Sequence, residues 1–355
     1  MKLFKSLLVA PATLGLLAPM TASANEVTIN DFNAAEEIAV TNSRVDGLEA
    51  RFNNLEAGSF SETTTASFGV DFLVGAVDGS STSEVTQFAY QMGIGLTTSF
   101  TGEDSLDATI DIGDSAGVIG AANGLNFDDT DNFLKLDGLS YTFPVGGATV
   151  IVGDQTDVSA SYTGACAYSA FTDTLGNCGT GSSAGVEGSG VTATASYAFD
   201  SGFTLAGGIS SDPASVLTEQ GTDIYGIEAA YTADSWGVAV AYADDESKTY
   251  WGVNGTYAFD FATISAGIES EDSGSATAEG FFVGLSFAEV GAGSLDIGMG
   301  TTGNFADSDT DYYIYEASYA YPVNDGMTIT PGIYIREGGS SADQTGVALK
   351  TSFSF

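Results

Sequence analysis

From Phe60 onward, apolar residues recur at every second position. Phe68, Val70, Phe72 and Val74 alternate with Ser67, Gly69, Asp71 and Gly75. Phe88, Tyr90, Met92, Ile94 and Leu96 alternate with Gln87, Ala89, Gln91, Gly93, Gly95 and Thr97. A period of two with one greasy side predicts strands whose two faces meet different media. Carried along the chain, the pattern predicts sixteen strands. The first eight lie at 60–77, 84–100, 105–113, 132–143, 148–154, 189–199, 203–210 and 222–231. The other eight lie at 236–245, 248–259, 261–269, 279–288, 293–301, 309–321, 327–337 and 345–355. The segment 148–154 is the least secure, and merging one weak pair would leave fourteen.

The connections fall into two classes. With the first strand leaving the periplasm, the even-numbered links become periplasmic turns. They include Thr101-Gly102-Glu103-Asp104, Pro144 to Gly147, Asp200-Ser201-Gly202, Thr232 to Ser235 and Pro322 to Gly326, all short and rich in turn residues. The odd-numbered links include 114–131 and 155–188, far longer than any of these. Short turns at one end and longer loops at the other predict an all-β fold, a transmembrane antiparallel β-barrel of sixteen strands. A soluble sandwich has no reason to obey that rule. Aromatic residues near strand termini, such as Tyr197, Phe199, Trp236, Tyr257, Phe259, Tyr319 and Tyr321, fit interfacial girdles. Aromatic enrichment in strands generally is the bland reading of any one of them.

The chain before the strands differs. Ile38, Val45 and Phe52 recur every seven residues within 31–56, with Leu48 and Leu55 three further on. That predicts a short coiled-coil helix, or a single amphipathic helix resting on a domain. Before it, Lys2 and Lys5, an apolar run from Leu7 to Met20, and Ala22-Ser23-Ala24 have the tripartite order of an export leader. The expected organisation is a signal peptide over 1–24, a periplasmic segment with the helix over 25–58, and an outer-membrane barrel over 59–355.

Composition removes the competitors. Of 355 residues, 47 are acidic and 8 basic, a formal charge of -39 that leaves no basic groove for nucleic acid. Disorder is excluded by 43% hydrophobic and 11% aromatic residues. No apolar run after the leader is long enough for a membrane helix. Histidine is absent, which removes the usual catalytic triads and His-ligated metal sites, and the chain is not expected to be an enzyme. Asp107 and Asp111 could pair for acid–base work but lack a surrounding pocket pattern. The acid-rich links 128–131 and 307–311 lack calcium-loop spacing and read as solvated loop. No cofactor or metal is expected.

With the leader, heptads and barrel read, the chain resembles the porins of cyanobacterial outer membranes that carry a surface-layer-homology domain. The matching stretches are TNSRVDGLEARFNNLEAG (41–58), KLDGLSYTFPVGGATVIVG (135–153) and YEASYAYPVNDGMTITPGIYI (315–335), with GVALKTSFSF (346–355) as a terminal strand. The resemblance implies an outer-membrane homotrimer in which a third outer loop narrows a pore for ions and small solutes. It also implies that the barrel-terminal aromatic Phe355 is read by the barrel-assembly machinery. Asn25 to about Ala35 is too short for the wall-binding domain, so peptidoglycan contact is doubtful.

Function should sit in the lumen and in the link 155–188. Pore-lining candidates on the non-apolar phase are Asp71, Gln87, Gln91, Asp107, Asp111, Glu228, Glu269, Asp296, Glu316 and Lys350. Lys135 cannot be placed, because it shares a phase with Phe133 and Tyr141. Cys166 and Cys178 are disulfide candidates that would staple the link, and Asp154, Asp157 and Asp173 are the constriction candidates. The leading expectation is a passive, mildly cation-selective diffusion channel. The alternatives are a solute-selective, for example carbohydrate, porin and a structural or adhesive barrel with a closed lumen.

Overall fold

A computed structural model of the protein describes residues 64–79, 85–114, 125, 127, 130–180, 190–301, 312–338 and 342–355. The chain divides into a unit over Met1–Ser61 and one over Glu62–Phe355, and every described residue belongs to the second. The leader and heptad helix lie outside the described residues.

Sixteen strands form. They are β1 (Thr64–Asp78), β2 (Gln87–Thr98), β3 (Ser105–Asp114), β4 (Lys135–Val145), β5 (Ala148–Thr156), β6 (Gly190–Ala198), β7 (Phe203–Ser211) and β8 (Asp223–Thr232). Then follow β9 (Trp236–Asp244), β10 (Thr249–Ala258), β11 (Thr263–Asp272), β12 (Thr277–Val290), β13 (Gly293–Thr301), β14 (Tyr313–Asn324), β15 (Met327–Arg336) and β16 (Gln344–Ser354). Each pairs antiparallel with its chain neighbours, and β1 pairs with β16 to close the barrel. The seam extends to the last residue: Phe68 N–H donates to the Phe355 carbonyl at 2.9 Å and Phe355 N–H to the Phe68 carbonyl at 3.1 Å. Closure leaves no edge strand to aggregate. The weakest predicted segment is β5, paired on both sides.

Side-chain alternation separates two surfaces. On β8, Ile227 is 62% exposed while its neighbour Glu228 is 5% exposed. Phe88, Leu205, Ile268, Ile333 and Val347 on β2, β7, β11, β15 and β16 are likewise exposed, so the apolar band runs around the barrel. Such a surface is unfavourable in water and matches acyl chains. At the short-turn end, rings form a girdle: Tyr141–Phe143, Tyr197–Phe199, Phe203–Tyr231, Tyr231–Trp236 and Tyr257–Phe259 have centroids 4.6–5.3 Å apart.

The turns at that end are closed by local chemistry. Gly146 takes φ +63 in the two-residue turn from β4 to β5, which glycine adopts without steric penalty. Between β2 and β3, Asp104 accepts bonds from Tyr141 Oη, Ser99 Oγ and the N–H groups of Phe100 and Thr101 at 2.6–2.9 Å. Led by the Tyr141 hydroxyl and then the Thr101 N–H, these hold its carboxyl well below the usual range. At the opposite end two links, 245–248 and 273–276, are as short as the turns. The long links there are those after β3 and β5, with smaller contributions from those after β7 and β13.

Candidate functional site

The ladder registers put all ten pore-lining candidates on the inward phase. Asp71 pairs with Gln91, Gly75 with Gln87, Thr97 with Asp107 and Gly93 with Asp111. Across the barrel, Glu228 pairs with Ala241, Glu269 with Gly252, Asp296 with Ser286, Glu316 with Tyr334, and Lys350 with Leu73. Exposure then divides them. Asp71, Gln87, Gln91, Asp107, Asp111 and Lys350 are half-buried, whereas Glu228, Glu269, Asp296 and Glu316 are all buried.

Lys135 is settled by a bulge. Thr109 pairs with Gly138 but Ile110 pairs with Leu136, so Asp137 is an extra residue on β4. A one-residue bulge reverses the phase of what precedes it. Lys135 therefore faces inward opposite Asp111, while Tyr141 faces out.

Glu228 and Glu316 are covered by the link after β5, which folds back into the barrel. It starts with a short 3-10 turn, Val158–Ser161, capped by Asp157, whose carboxylate accepts Ser159 N–H at 2.7 Å. The chain then runs along the inner wall, and its own N–H groups donate to side chains of four strands. Glu228 accepts Thr163 N–H at 2.7 Å and Gly164 N–H at 3.1–3.2 Å. Asn254 on β10 accepts Ala165 N–H at 2.8 Å and donates to Thr180 Oγ1 at 2.8 Å, and Ser265 on β11 accepts Ala167 N–H at 3.2 Å. Glu316 takes four donors: Tyr168 Oη at 2.9 Å, Phe171 and Thr172 N–H at 2.8 Å each, and the Thr172 hydroxyl. A loop this long has many backbone donors to satisfy, and here the wall supplies the acceptors.

Packing reinforces these bonds. Phe171, Leu175 and Cys178 join Phe282, Ile314, Tyr334, Ala348, Leu73, Val77 and Ala89 of the wall, and Leu125 and Phe127 of the link after β3, in one buried cluster. Inward glycines form the sockets. A Cβ on Gly332 would lie 2.3 Å from the Phe171 ring, one on Gly298 2.5 Å from Tyr168 Oη, and one on Gly300 2.9 Å from Leu175. Cys166 and Cys178 form a disulfide, with Cα atoms 5.6 Å apart, and Asn254 grips the chain on both sides of it. Behind the loop a polar cavity of about 230 Å³ is lined by Tyr162, Glu228, Asn254 and Thr180. The Tyr162 hydroxyl is buried without a protein partner, and the space suits water.

The constriction candidates separate. Asp154 is a correction as a constriction candidate: it lies on β5, inside the predicted strand 148–154, and pairs with Leu139 on the same outward phase as Val152, outside the link. Asp157 is spent on its turn, and Asp173 is exposed on the second turn, Asp173–Gly179. Among the described residues of the loop the other exposed positions are uncharged, among them Thr163, Ala167, Ser169 and Asn177. Among the described residues no group of three or more His, Cys, Asp or Glu is arranged to hold a metal ion. The inward glycines, Tyr168 and Phe171 escaped the sequence reading. The one available signal was apolar residues, Leu73 and Phe282, on a phase that should have been polar.

Comparison with known proteins agrees with this architecture. OprB of Pseudomonas putida superposes with a TM-score of 0.65 at 13% identity, over 82% of this chain and 94% of that one. A loop-deletion variant of OmpT, an outer membrane protein of Vibrio cholerae, gives 0.58 at 12% identity over 83% and 100%. A triple mutant of Rhodopseudomonas blastica porin gives 0.55 at 15% identity over 82% and 100%. At such identities the likeness is one of fold. An uncharacterized protein of Nostoc sp. is 38% identical over 101 residues, 28% of this chain and 17% of that protein's own length. The model of the Gram-negative porin family matches residues 38–334. With sixteen closed strands, an apolar outer band and a polar, loop-filled interior, the chain belongs to the Gram-negative porin family.

Proposed function

We propose that the protein is a passive diffusion channel of the outer membrane, narrowed by the link after β5 and mildly cation-selective. The observation that carries the reading is the loop's line of hydrogen bonds from Glu228 to Glu316 across the inner wall. Outside the loop and the cluster it joins at Leu73, Val77 and Ala89, the inward positions left partly open on β16 and β1–β4 form the path. That side offers Asp71, Asp107 and Asp111, interleaved with Lys135 and Lys350, so the preference for cations is weak. The chain's charge of -39 overstates it, because Glu228 and Glu316 lie under the loop. The short turns face the periplasm in this reading. The homotrimer, and recognition of Phe355 by the assembly machinery, belong to it as implications of the resemblance.

Liposome swelling tests it. Vesicles containing folded protein should admit small neutral sugars at rates that fall smoothly with solute size. Saturation by one sugar would favour a solute-selective channel, and no swelling would favour a closed structural barrel.

A further inference from the structure

Four of the inward acids are buried, and two of these are hydrogen-bonded to donors of the loop. Glu316 receives Tyr168 Oη, Phe171 N–H, Thr172 N–H and the Thr172 hydroxyl; Glu228 receives Thr163 and Gly164 N–H. Neither faces a basic side chain in these bonds. A carboxylate has only acceptor sites, so it matches a row of converging N–H and O–H donors, which an amide does not. Being 4% and 5% exposed, neither offers its charge to a passing ion. Asp107, in contrast, is half-buried on β3 and bonded only within the wall, to Thr97 and Ser105.

We propose that Glu316 and Glu228 are positioning residues of the channel, fixing the loop against the wall through its backbone and so setting pore width rather than ion preference. The proposal rests on the loop narrowing a conducting pore, as argued above. It assigns opposite roles to inward acids that look alike in sequence.

The test compares Glu316→Gln, Glu228→Gln and their double variant with Asp107→Asn. In each Gln variant an NH₂ group must face donors, and part of the loop's anchorage is lost. Two independent readouts apply. In folded, unboiled protein, chymotrypsin cleavage between Tyr162 and Leu175, followed on reducing gels, should quicken about tenfold to a hundredfold for Glu316→Gln. That is the ratio expected for losing charge-assisted hydrogen bonds of about 1.5–3 kcal/mol. In planar bilayers the double variant should give larger conductance steps, pass larger sugars, and keep its reversal potential. Asp107→Asn should lower cation preference at unchanged step size. The proposal is overturned if the Gln variants lower cation preference like Asp107→Asn with step size and cleavage unchanged, or if they change nothing. Wild-type protein silent in bilayers would sink the channel reading instead. The cleavage ratios would still decide whether the two carboxylates hold the loop.

Discussion

Placing one methyl group at Gly332 probes the socket that seats the loop. An added Cβ would sit 2.3, 2.4 and 2.5 Å from three atoms of the Phe171 ring. Ordinary carbon contacts need about 3.5–4.0 Å, so the ring must retreat by more than about 1 Å. It cannot do so freely. Its own N–H is held by Glu316 at 2.8 Å, and the ring belongs to a cluster with Ile314, Tyr334 and Leu175. Overpacking of this kind costs about 1–3 kcal/mol, and the cost falls on the seated state of the loop. Gly332→Ala should therefore speed chymotrypsin cleavage of the loop about fivefold to a hundredfold in folded protein. Phe171→Ala alone should also loosen the loop, by up to about 3 kcal/mol, since it empties the socket. In the double variant the new methyl enters vacated space, so the two effects should combine to less than their sum, with coupling of about 1–3 kcal/mol. Cleavage at Tyr162, Tyr168 and Leu175 remains available once Phe171 is gone. Wild-type cleavage rates for Gly332→Ala, or strict additivity, would refute the reasoning.

Three further outcomes follow from other parts of the molecule. Replacing both Cys166 and Cys178 by Ser removes a cross-link spanning 12 positions, and should destabilise the seated loop by about 3 kcal/mol while heat-modifiable migration of the barrel persists. Asp104 has a depressed carboxyl, so its stabilisation of the first short turn is complete above the unfolded value of about 3.9 and is lost as pH falls below it. Urea unfolding should show wild type weakening below about pH 4, with a smaller pH slope in Asp104→Asn. Deleting Asp137 removes the extra residue of the bulge and leaves Leu136 opposite Ile110 and Lys135 opposite Asp111. The lysine stays inward, so this variant should fold in detergent and keep its reversal potential, whereas Lys135→Gln should fold and raise cation preference.

The strand count and inward phase of the acids were legible because a period of two fixes the face of every residue once the outward side is known. Two kinds of feature were not. Asp137 is an extra residue that shifts phase by one, which made Lys135 unplaceable, and the bulge near the end of β5 likewise carries no mark in composition. The loop's partners were hidden for a different reason. Glu316 and Asp107 have the same chemistry and the same phase, and only the return of a distant segment buries one and leaves the other open. Inward glycines such as Gly298 and Gly332 read as generic small residues until the rings that fill them are in place.

Single-channel recording in a planar bilayer under a salt gradient bears most directly on the central claim. Folded protein should give stable, ohmic conductance steps, with a reversal potential modestly on the cation-selective side. Silence from protein that is demonstrably folded, or a reversal potential on the anion side, would contradict the account.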